Sequence, residues 1–427
     1  MIIIYTDTES KRLNYICGFI FSQILGVNFE LTHSDQKFKD SKATKINYSN
    51  SSFTDCFHIR PSGLLAENKI EKKELNIGKW NGMKTIFSNT EKEIPFDVFS
   101  ASFYIISRYE EYLPHQTDLH GRYLPEQSIL FQLESLESPL VDKWCLELAK
   151  HLKISVSRSY KFISTIDVDN AYAYKFKPLH IKIGGTLKAL VNRNTEDLKR
   201  RVATYFGGKS DPYDTYSLIE NVHKQHKVEG IYFFLLSNRS TQDKNLSFTN
   251  KHLRALVSAL QSENLTGIHP GYNSYLDKKI TLEEKLRLES IIDEEVKHSR
   301  QHFLKFKFPD TPEILDSIGI KHDYSLAYAS VLGFRAGTCT PFKFYNLREE
   351  KTTNLTLHSS PIMDATLNNY LKVTPETAVK LAHNIIKEVK EVKGELITIW
   401  HNETLSDIRE WKAWRPVFEE IIRLAKK

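Results

Sequence analysis

The sequence predicts an α/β protein with two domains, of which the larger holds a parallel β-sheet. Its length of 427 residues exceeds what one compact core usually serves, so two domains are expected. After residue 156, apolar segments rich in β-branched residues alternate with segments of helical periodicity, and this alternation predicts parallel strands joined by helices. Three of the apolar segments end in acidic or histidine side chains. A functional site is therefore expected at the carboxyl ends of these strands.

Residues 1–155 predict a smaller α/β accessory domain. Met1 to Thr8 is a short apolar run without a basic leader, which indicates a first β-strand and not a signal peptide. Apolar side chains recur at helical spacing from Phe96 to Tyr112 and from Leu140 to Leu152, so helices are expected there. No set of residues in this part has the character of a catalytic site. We expect this domain to shape a pocket without supplying catalytic groups.

Residues 156–427 predict the larger domain, in which strands and helices alternate. The elements expected there are a strand from Phe162 to Asp169, a buried strand from Glu229 to Leu236, a helix from Lys251 to Leu260, a strand from Asn264 to His269, a long helix from Leu282 to His298 with Thr281 as its cap, and a strand from Leu396 to His401. This order favours a parallel sheet with its polar residues at one edge.

Composition and charge exclude several classes of function. Hydrophobic residues make up 41% and charged residues 26%, which is typical of a soluble globular protein. The net charge of +6 comes without an RNA-binding signature, so no nucleic-acid partner is expected. The most apolar stretch, Tyr15 to Leu25, is too short to span a bilayer. The four cysteines are far apart and are expected to be free thiols, so a cytoplasmic location is predicted.

Acidic and histidine side chains end three of the predicted strands. Asp167 and Asp169 close the first, His269 closes the second, and His401 closes the third. A charged side chain after a buried strand is expected to face water, a metal or a substrate. Structural alternatives remain open, since Asp169 could cap a following helix and His269 could bond a loop carbonyl.

This constellation resembles the polysaccharide deacetylase family, the metal-dependent carbohydrate esterases built on the NodB homology domain. Thr165-Ile-Asp-Val-Asp169 is similar to the family motif Thr-Phe-Asp-Asp-Gly, with Val168 between the two acids. His269-Pro-Gly-Tyr-Asn273 is similar to its His-x-x-x-His segment, with Asn273 at the second histidine. The likeness covers about the last two thirds of the chain and implies a distorted (β/α)7 barrel. The complete chain resembles a two-domain subgroup known from Bacteroidetes-type bacteria.

The resemblance implies a role for each of these residues. Asp167 is expected to be the general base, and Asp169 and His269 are expected to bind the metal, with Asn273 as a weaker ligand. His302, two residues beyond Arg300, is a candidate replacement for the missing second histidine.

Later motifs add three further candidates. Arg300-Gln-His-Phe-Leu304 is similar to the arginine motif of the family, so Arg300 is expected to support Asp167. Pro361-Ile-Met-Asp364 and Ile399-Trp-His401 are similar to its acidic and terminal histidine motifs. They imply His401 as the general acid and Asp364 as the residue that orients it. A surface ion pair for Arg300 and a helix cap for Asp364 remain equally open.

Two further residues are candidates for substrate contact. Asp323 lies in His322-Asp-Tyr-Ser325, and Arg335 lies in Gly333-Phe-Arg-Ala-Gly-Thr-Cys339. Both segments are expected in loops at the barrel mouth. Asp323 and Arg335 either contact the substrate or pair with each other.

The predicted function is a metal-dependent hydrolase that removes an acetyl group from an N-acetylated sugar or polysaccharide intermediate. The implied cofactor is a divalent metal, with zinc expected first, and the implied partner is an N-acetylated carbohydrate. The alternative is a non-catalytic carbohydrate-binding or assembly protein of surface-polysaccharide synthesis on the same fold. The number of converging metal ligands distinguishes the two functions, because three ligands favour an enzyme and one or two favour a binding protein. The oligomeric state is not predicted.

Overall fold

The computed structural model describes residues 1–427, which form two mainly parallel β-sheets, a two-stranded antiparallel sheet and the helices around them. The strands β1 to β15 are Ile2–Tyr5, Phe29–Thr32, Thr44–Asn47, Phe57–His58, Gly78–Trp80, Met83–Thr85, Lys161–Val168, Glu229–Phe234, Leu265–Ile268, His298–Ser299, His322–Leu326, Phe342–Asn346, Lys351–Ser359, Ile362–Met363 and Glu395–His401. The helices α1 to α13 are Lys11–Cys17, Asp35–Asp40, Val98–Ile106, Ile129–Gln132, Leu140–His151, Leu179–Val191, Thr195–Tyr205, Tyr216–His226, Lys251–Gln261, Lys278–Ile292, Asp310–Ser317, Pro375–Glu391 and Arg415–Lys426.

The first sheet lies within residues 2–58 and has the strand order β2-β1-β3-β4, with every pair parallel. The predicted N-terminal strand is confirmed, and all four of its residues are buried. The predicted helices after it are confirmed as α3 and α5, although α3 is shorter than expected. Asp97 caps the start of α3, and Arg108, whose backbone is in the left-handed conformation, follows its end. None of the helices has the length and apolar character that a bilayer crossing requires.

The second sheet has nine strands in the order β12-β13-β11-β10-β9-β8-β7-β15-β14. Only β12 is antiparallel to its neighbour. The parallel part of the sheet has β13 at one edge and β14 at the other. These two edge strands are separated along the chain by only two residues, Ser360 and Pro361, so the two edges must lie close together. The sheet is therefore curled into a barrel-like arrangement. The exact (β/α)7 form and the division at residue 155 stay predictions.

Strand β7 lies inside the curled sheet, between β15 and β8, and carries the first acids of the candidate site. It pairs along its length with β15 on one side and with β8 on the other. Seven of its eight residues are buried, as expected for a parallel strand covered on both faces. Its carboxyl end places Asp167 opposite His401 of β15.

One predicted helix was placed wrongly. The helix expected from Leu282 to His298 is α10, which begins at Lys278 and ends at Ile292. Its N-cap is Asp277 and not the expected Thr281. The side chain of Asp277 accepts a hydrogen bond from the N–H of Ile280. Asp293 adopts a left-handed conformation that stops the helix, so His298 is free to begin β10.

A buried ion-pair network joins the N-terminal part of the chain to the curled sheet. Arg335 Nε donates to Glu111 Oε1 at 2.9 Å, and Arg108 Nε donates to the same oxygen at 2.8 Å. The expected pairing of Arg335 with Asp323 is therefore wrong. Asp323 is fully buried inside the sheet, where it accepts hydrogen bonds from Ser299 Oγ and the Ser325 N–H. One core of 90 buried residues continues across the same junction.

We expect Glu111→Ala to lower the free energy of unfolding by about 3–5 kcal/mol, because it leaves two buried guanidinium groups without their shared carboxylate. Urea unfolding measures the change, and Glu111→Gln serves if the alanine variant does not fold. Glu30→Ala, which breaks the exposed pair with Lys37, is the matched control and should cost no more than about 1 kcal/mol. Equal effects of the two alanine variants would contradict this account.

A second prediction concerns His223 of α8, which is buried and bonds Ser164 Oγ of β7 through Nε2 at 2.9 Å. Burial lowers the pKa of His223 to about 4. Since the unfolded chain protonates near its ordinary pKa of about 6.5, stability is retained above that pH and lost as the pH falls toward 4. Between pH 7 and pH 4.5 the free energy of unfolding should therefore fall by about 2.5 kcal/mol less in His223→Gln than in the unaltered protein. A loss of stability toward pH 4.5 that is as large in His223→Gln as in the unaltered protein would contradict this account.

Candidate active site

Side chains from three strand ends converge at the carboxyl edge of the curled sheet. Asp169 follows β7, His269 follows β9, and His302 follows β10. Asp169 Oδ1 lies 3.1 Å from His269 Nε2, and Asp169 Oδ2 lies 3.3 Å from His302 Nε2. One ligand atom from each of the three residues lies within 4.8 Å of the others. These three residues are a set that could hold a metal ion.

Hydrogen bonds behind the two histidines fix which ring nitrogen faces Asp169. His269 Nδ1 contacts the carbonyl oxygen of Arg300 at 2.5 Å, so Nδ1 carries the proton and donates it. His302 Nδ1 contacts Asp243 Oδ1 at 2.8 Å. An imidazole with its proton on Nδ1 presents a lone pair at Nε2. Such outer partners orient the histidine ligands of most protein metal sites.

The residues present fit a bound cation. His269 Nε2 and Asp169 Oδ1 are both buried and without a hydrogen-bond partner, although they face each other. Two acceptors at this distance are unfavourable unless a proton or a cation lies between them. Burial alone would raise the pKa of Asp169, but His302 and His269 lower it well below its ordinary value. Two imidazoles and one carboxylate are a donor set that suits zinc and other first-row divalent cations.

Asp167 is held next to this set by Arg300. Arg300 Nη1 donates to Asp167 Oδ1 at 3.1 Å and to Thr165 Oγ1 at 2.5 Å. Arg300 Nε donates to the carbonyl of Tyr324. The guanidinium is fully buried, so the surface ion pair that was the alternative for Arg300 is wrong. Asp167 Oδ2 lies 3.9 Å from both His269 Nε2 and His401 Nε2.

His401 is oriented by Asp364. The ring atom His401 Nδ1 lies 2.9 Å from Asp364 Oδ1. The backbone N–H of His401 donates to Asp364 Oδ2 at 2.8 Å. Burial alone would lower the pKa of His401, but Asp364 raises it well above its ordinary value. Asp364 Oδ1 also accepts a hydrogen bond from the N–H of the adjacent Ala365, which is not the bond that a helix cap makes, so the contacts of Asp364 favour the orienting role.

The structure keeps three of the candidate residues away from this cluster. Asn273 is exposed in the short turn Tyr272–Ser274 and does not line the cavity, so its assignment as a ligand was wrong. Asp323 and Arg335 also lie outside the cavity lining, because each is buried in the contacts described above. His302 takes the third position instead.

Sequence reasoning missed two acidic residues of the site. Asp243, in the loop after β8, is fully buried and binds His302. An added Cβ at Gly271 would lie 2.9 Å from Asp243 Oδ2, so glycine permits the close approach of this loop. Glu403 follows β15 and lines the cavity, where burial and the charge of Asp169 raise its pKa to about 7. Glu403 comes two residues after β15, so the strand-end pattern that pointed to Asp167 applied to it too, whereas Asp243 lies deep in a loop and had no such signal.

A cavity of about 250 Å³ opens above the cluster. Leu304, Ala329 and Met363 belong to one small apolar cluster and form part of the cavity wall. Trp411 lines another part. Arg122, from the N-terminal part of the chain, also lines the cavity and donates through Nη1 to the carbonyl of Phe303 at 3.0 Å. The cavity therefore joins a polar cluster to an apolar wall.

Comparison with known proteins gives one family match and several distant structural likenesses. Residues 2–157 match a family described as "Family of unknown function (DUF7033)". No curated protein is similar enough in sequence to match the chain. The subgroup predicted from the complete chain stays a prediction.

Three solved structures illustrate the structural likeness. A protein from Mycobacterium smegmatis described as a polysaccharide deacetylase is 13% identical with a TM-score of 0.39, covering 62% of this chain and 84% of its own. A polysaccharide deacetylase from Bacillus cereus is 12% identical with a TM-score of 0.31, covering 62% and 86%. A CE4 family pseudoenzyme from Bacillus anthracis is 11% identical with a TM-score of 0.29, covering 64% and 66%. Because these scores are low, the function is inferred from the residues of this chain.

Substitutions of His302 and Asn273 should affect cation binding differently. We expect His302→Ala to weaken zinc binding by at least about 100-fold, because it removes one of three donors, and Asp243→Asn to weaken it by about 10–100-fold. Asn273→Ala is the matched control and should leave the affinity unchanged. Competition with a chromophoric chelator at fixed pH measures all three. A larger loss for Asn273→Ala than for His302→Ala would show that the ligand set is wrong.

Proposed function

We propose that this chain is a metal-dependent hydrolase that removes an acetyl group from an N-acetylated sugar, on a NodB-type distorted (β/α)7 barrel. The observation that carries the proposal is the convergence of an Asp-His-His set with a second carboxylate and a third histidine. Asp167 Oδ2 and Asp169 Oδ2 each lie 3.9 Å from His401 Nε2. Hydrolysis of an acetamide needs this combination of a cation, a base and an acid.

Asp169, His269 and His302 would hold the metal. When bound, a divalent cation lowers the pKa of water and polarises a carbonyl, and zinc is the first candidate for this donor set. Asp167 takes the proton from the attacking water, and Arg300 holds its carboxylate in place. His401 carries the proton that the departing amine nitrogen requires, since Asp364 favours the charged imidazole. The leaving sugar then departs as a neutral amine.

The shape of the cavity supports an N-acetylated sugar as substrate. The apolar wall of Leu304, Ala329 and Met363 suits the methyl group of an acetyl, which has no polar atom to satisfy. The indole of Trp411 and the carboxyl group of Glu403 line the same cavity, and sugars present matching surfaces of C–H and hydroxyl groups. Three protein donors also favour the enzyme over a non-catalytic carbohydrate-binding protein on the same fold.

Acetate release from a panel of N-acetylhexosamine monosaccharides and oligosaccharides tests this function, with protein purified without chelator and its metal content measured. We expect Asp167→Asn and His401→Ala each to reduce turnover by roughly 10²–10⁴-fold, because each removes one proton-transfer group. Asn273→Ala is the control on the same edge of the sheet and should retain full turnover.

Two results would count against the proposal. Turnover close to that of the unaltered protein in His401→Ala would remove this histidine from the mechanism. No hydrolysis of any N-acetyl sugar, together with no bound metal, would favour the non-catalytic alternative. Unfolding curves of each variant show whether a lost activity reflects chemistry or a lost fold.

A further inference from the structure

A helical hairpin between β7 and α8 carries an apolar surface that nothing in the molecule covers. Sixteen large apolar side chains are exposed in the chain, and seven of them lie between residues 179 and 206. Five belong to the single helix α6, with exposed fractions from 52% to 80%: Leu179, Ile183, Leu187, Leu190 and Val191. Exposed apolar patches of this kind mark interaction sites.

These five side chains form one stripe along α6. At about 100° per residue they fall within an arc of about 120°, the width of the apolar face that a surface helix usually turns to the protein core. Here the other side of α6 faces the protein. An added Cβ at Gly185 would lie 2.8 Å from Arg201 Nη1 of α7, and Lys182 Nζ lies 5.4 Å from the ring centroid of Tyr205. The apolar stripe is therefore turned outward.

The same hairpin is strongly basic. Between residues 175 and 209 the sequence has nine lysines and arginines but two acidic residues, more positive charge than the +6 of the whole chain. The two acids, Glu196 and Asp197, are paired with Arg200 and Arg201. Lys188 on α6 and Lys199 on α7 make no ion pair within 4.0 Å. The hairpin thus exposes both the apolar stripe of α6 and unpaired cations on α6 and α7.

Two buried carboxylates fix the position of the hairpin. Asp211 accepts hydrogen bonds from the backbone N–H groups of Ala173, Tyr174 and Lys175, which ties the two ends of the hairpin together. Asp197 of α7 accepts from Arg409 Nη2 at 2.9 Å. Arg409 immediately precedes Glu410 and Trp411, both of which line the cavity. The hairpin is therefore tied to a segment that lines the cavity.

We propose that this hairpin binds the surface of an anionic phospholipid bilayer. The apolar stripe of α6 enters the headgroup region, and the lysines and arginines bind the lipid phosphates, as in interfacial amphipathic helices. A second copy of the chain is a poorer occupant, since it would bring two surfaces of like charge together. Docking here would bring the cavity near the membrane, where sugars attached to lipids are accessible; this last step rests on the proposed hydrolase function, whereas the binding itself does not.

Flotation with vesicles tests the proposal with the full chain. We expect binding to vesicles of equal parts phosphatidylglycerol and phosphatidylcholine, and at least about 25-fold weaker binding to pure phosphatidylcholine, because each lysine near an anionic surface contributes about fivefold. Ile183→Asp with Leu187→Asp should reduce binding by about 100-fold or more. Lys188→Glu with Lys199→Glu should reduce it by at least about 25-fold.

Matched controls lie elsewhere on the surface. Leu119, in the N-terminal part of the chain, is 99% exposed, so Leu119→Asp should leave vesicle binding unchanged. Lys37→Glu with Lys351→Glu changes the net charge by the same amount as Lys188→Glu with Lys199→Glu. The side chains of Lys37 and Lys351 are 53% and 59% exposed and lie outside the hairpin, so this pair should have no more than a small effect on vesicle binding. Equal losses in the control and hairpin variants would overturn the proposal.

Two other outcomes would also overturn it. One is no binding to the anionic vesicles at low salt. The other is a dimer in sedimentation velocity that Ile183→Asp with Leu187→Asp dissociates, because the stripe would then be covered by a second copy. Vesicle binding is measured without substrate, so its failure is distinct from a failure of the proposed hydrolysis.

Discussion

The candidate site depends on the buried side chain and backbone of Arg300. Its guanidinium donates to Asp167, and its carbonyl oxygen accepts the Nδ1 proton of His269. One residue therefore holds the proposed base and sets the tautomer of a candidate metal ligand. A buried guanidinium is costly unless it is paired, and here Thr165, Tyr324 and Asp167 satisfy it. The position of Arg300 just after β10 thus determines the geometry on both sides of the cavity.

The sequence predicted those site residues that follow long, strongly apolar strands. Asp167, Asp169 and His401 close β7 and β15, whose apolar runs are visible in the sequence alone. His302 was harder to place, because it follows β10, a strand of two residues with no periodicity to detect. The helix expected up to His298 also covered this strand, so the edge that carries His302 was hidden. Asn273 gained its assignment from a motif, while its exposure depends on tertiary structure.

Long-range pairing accounts for most of what local patterns could not predict. Arg335 and Glu111 are 224 positions apart, and nothing in either segment indicates the other. An isolated arginine in a loop beside glycines has the pattern of a substrate contact, whereas its actual environment is a buried junction. Asp243 belongs to the same class, since its role depends on a loop that meets His302 only in the folded chain. Residue type and position at a strand end therefore predict which side chains can act in a site, whereas the hydrogen-bond and ion-pair partners of a side chain depend on the folded structure.

The N-terminal part of the chain contributes to the site through Arg122. Asp118 orients this arginine, whose Nη1 donates to the carbonyl of Phe303 at 3.0 Å. Phe303 directly follows His302 and has a φ of 59°, a left-handed conformation that is strained for a bulky side chain and persists only when its surroundings hold it. The turn that presents His302 is therefore held from outside the curled sheet. His269, by contrast, is held by Arg300 within the sheet, so the two histidines of one candidate metal site depend on different parts of the chain.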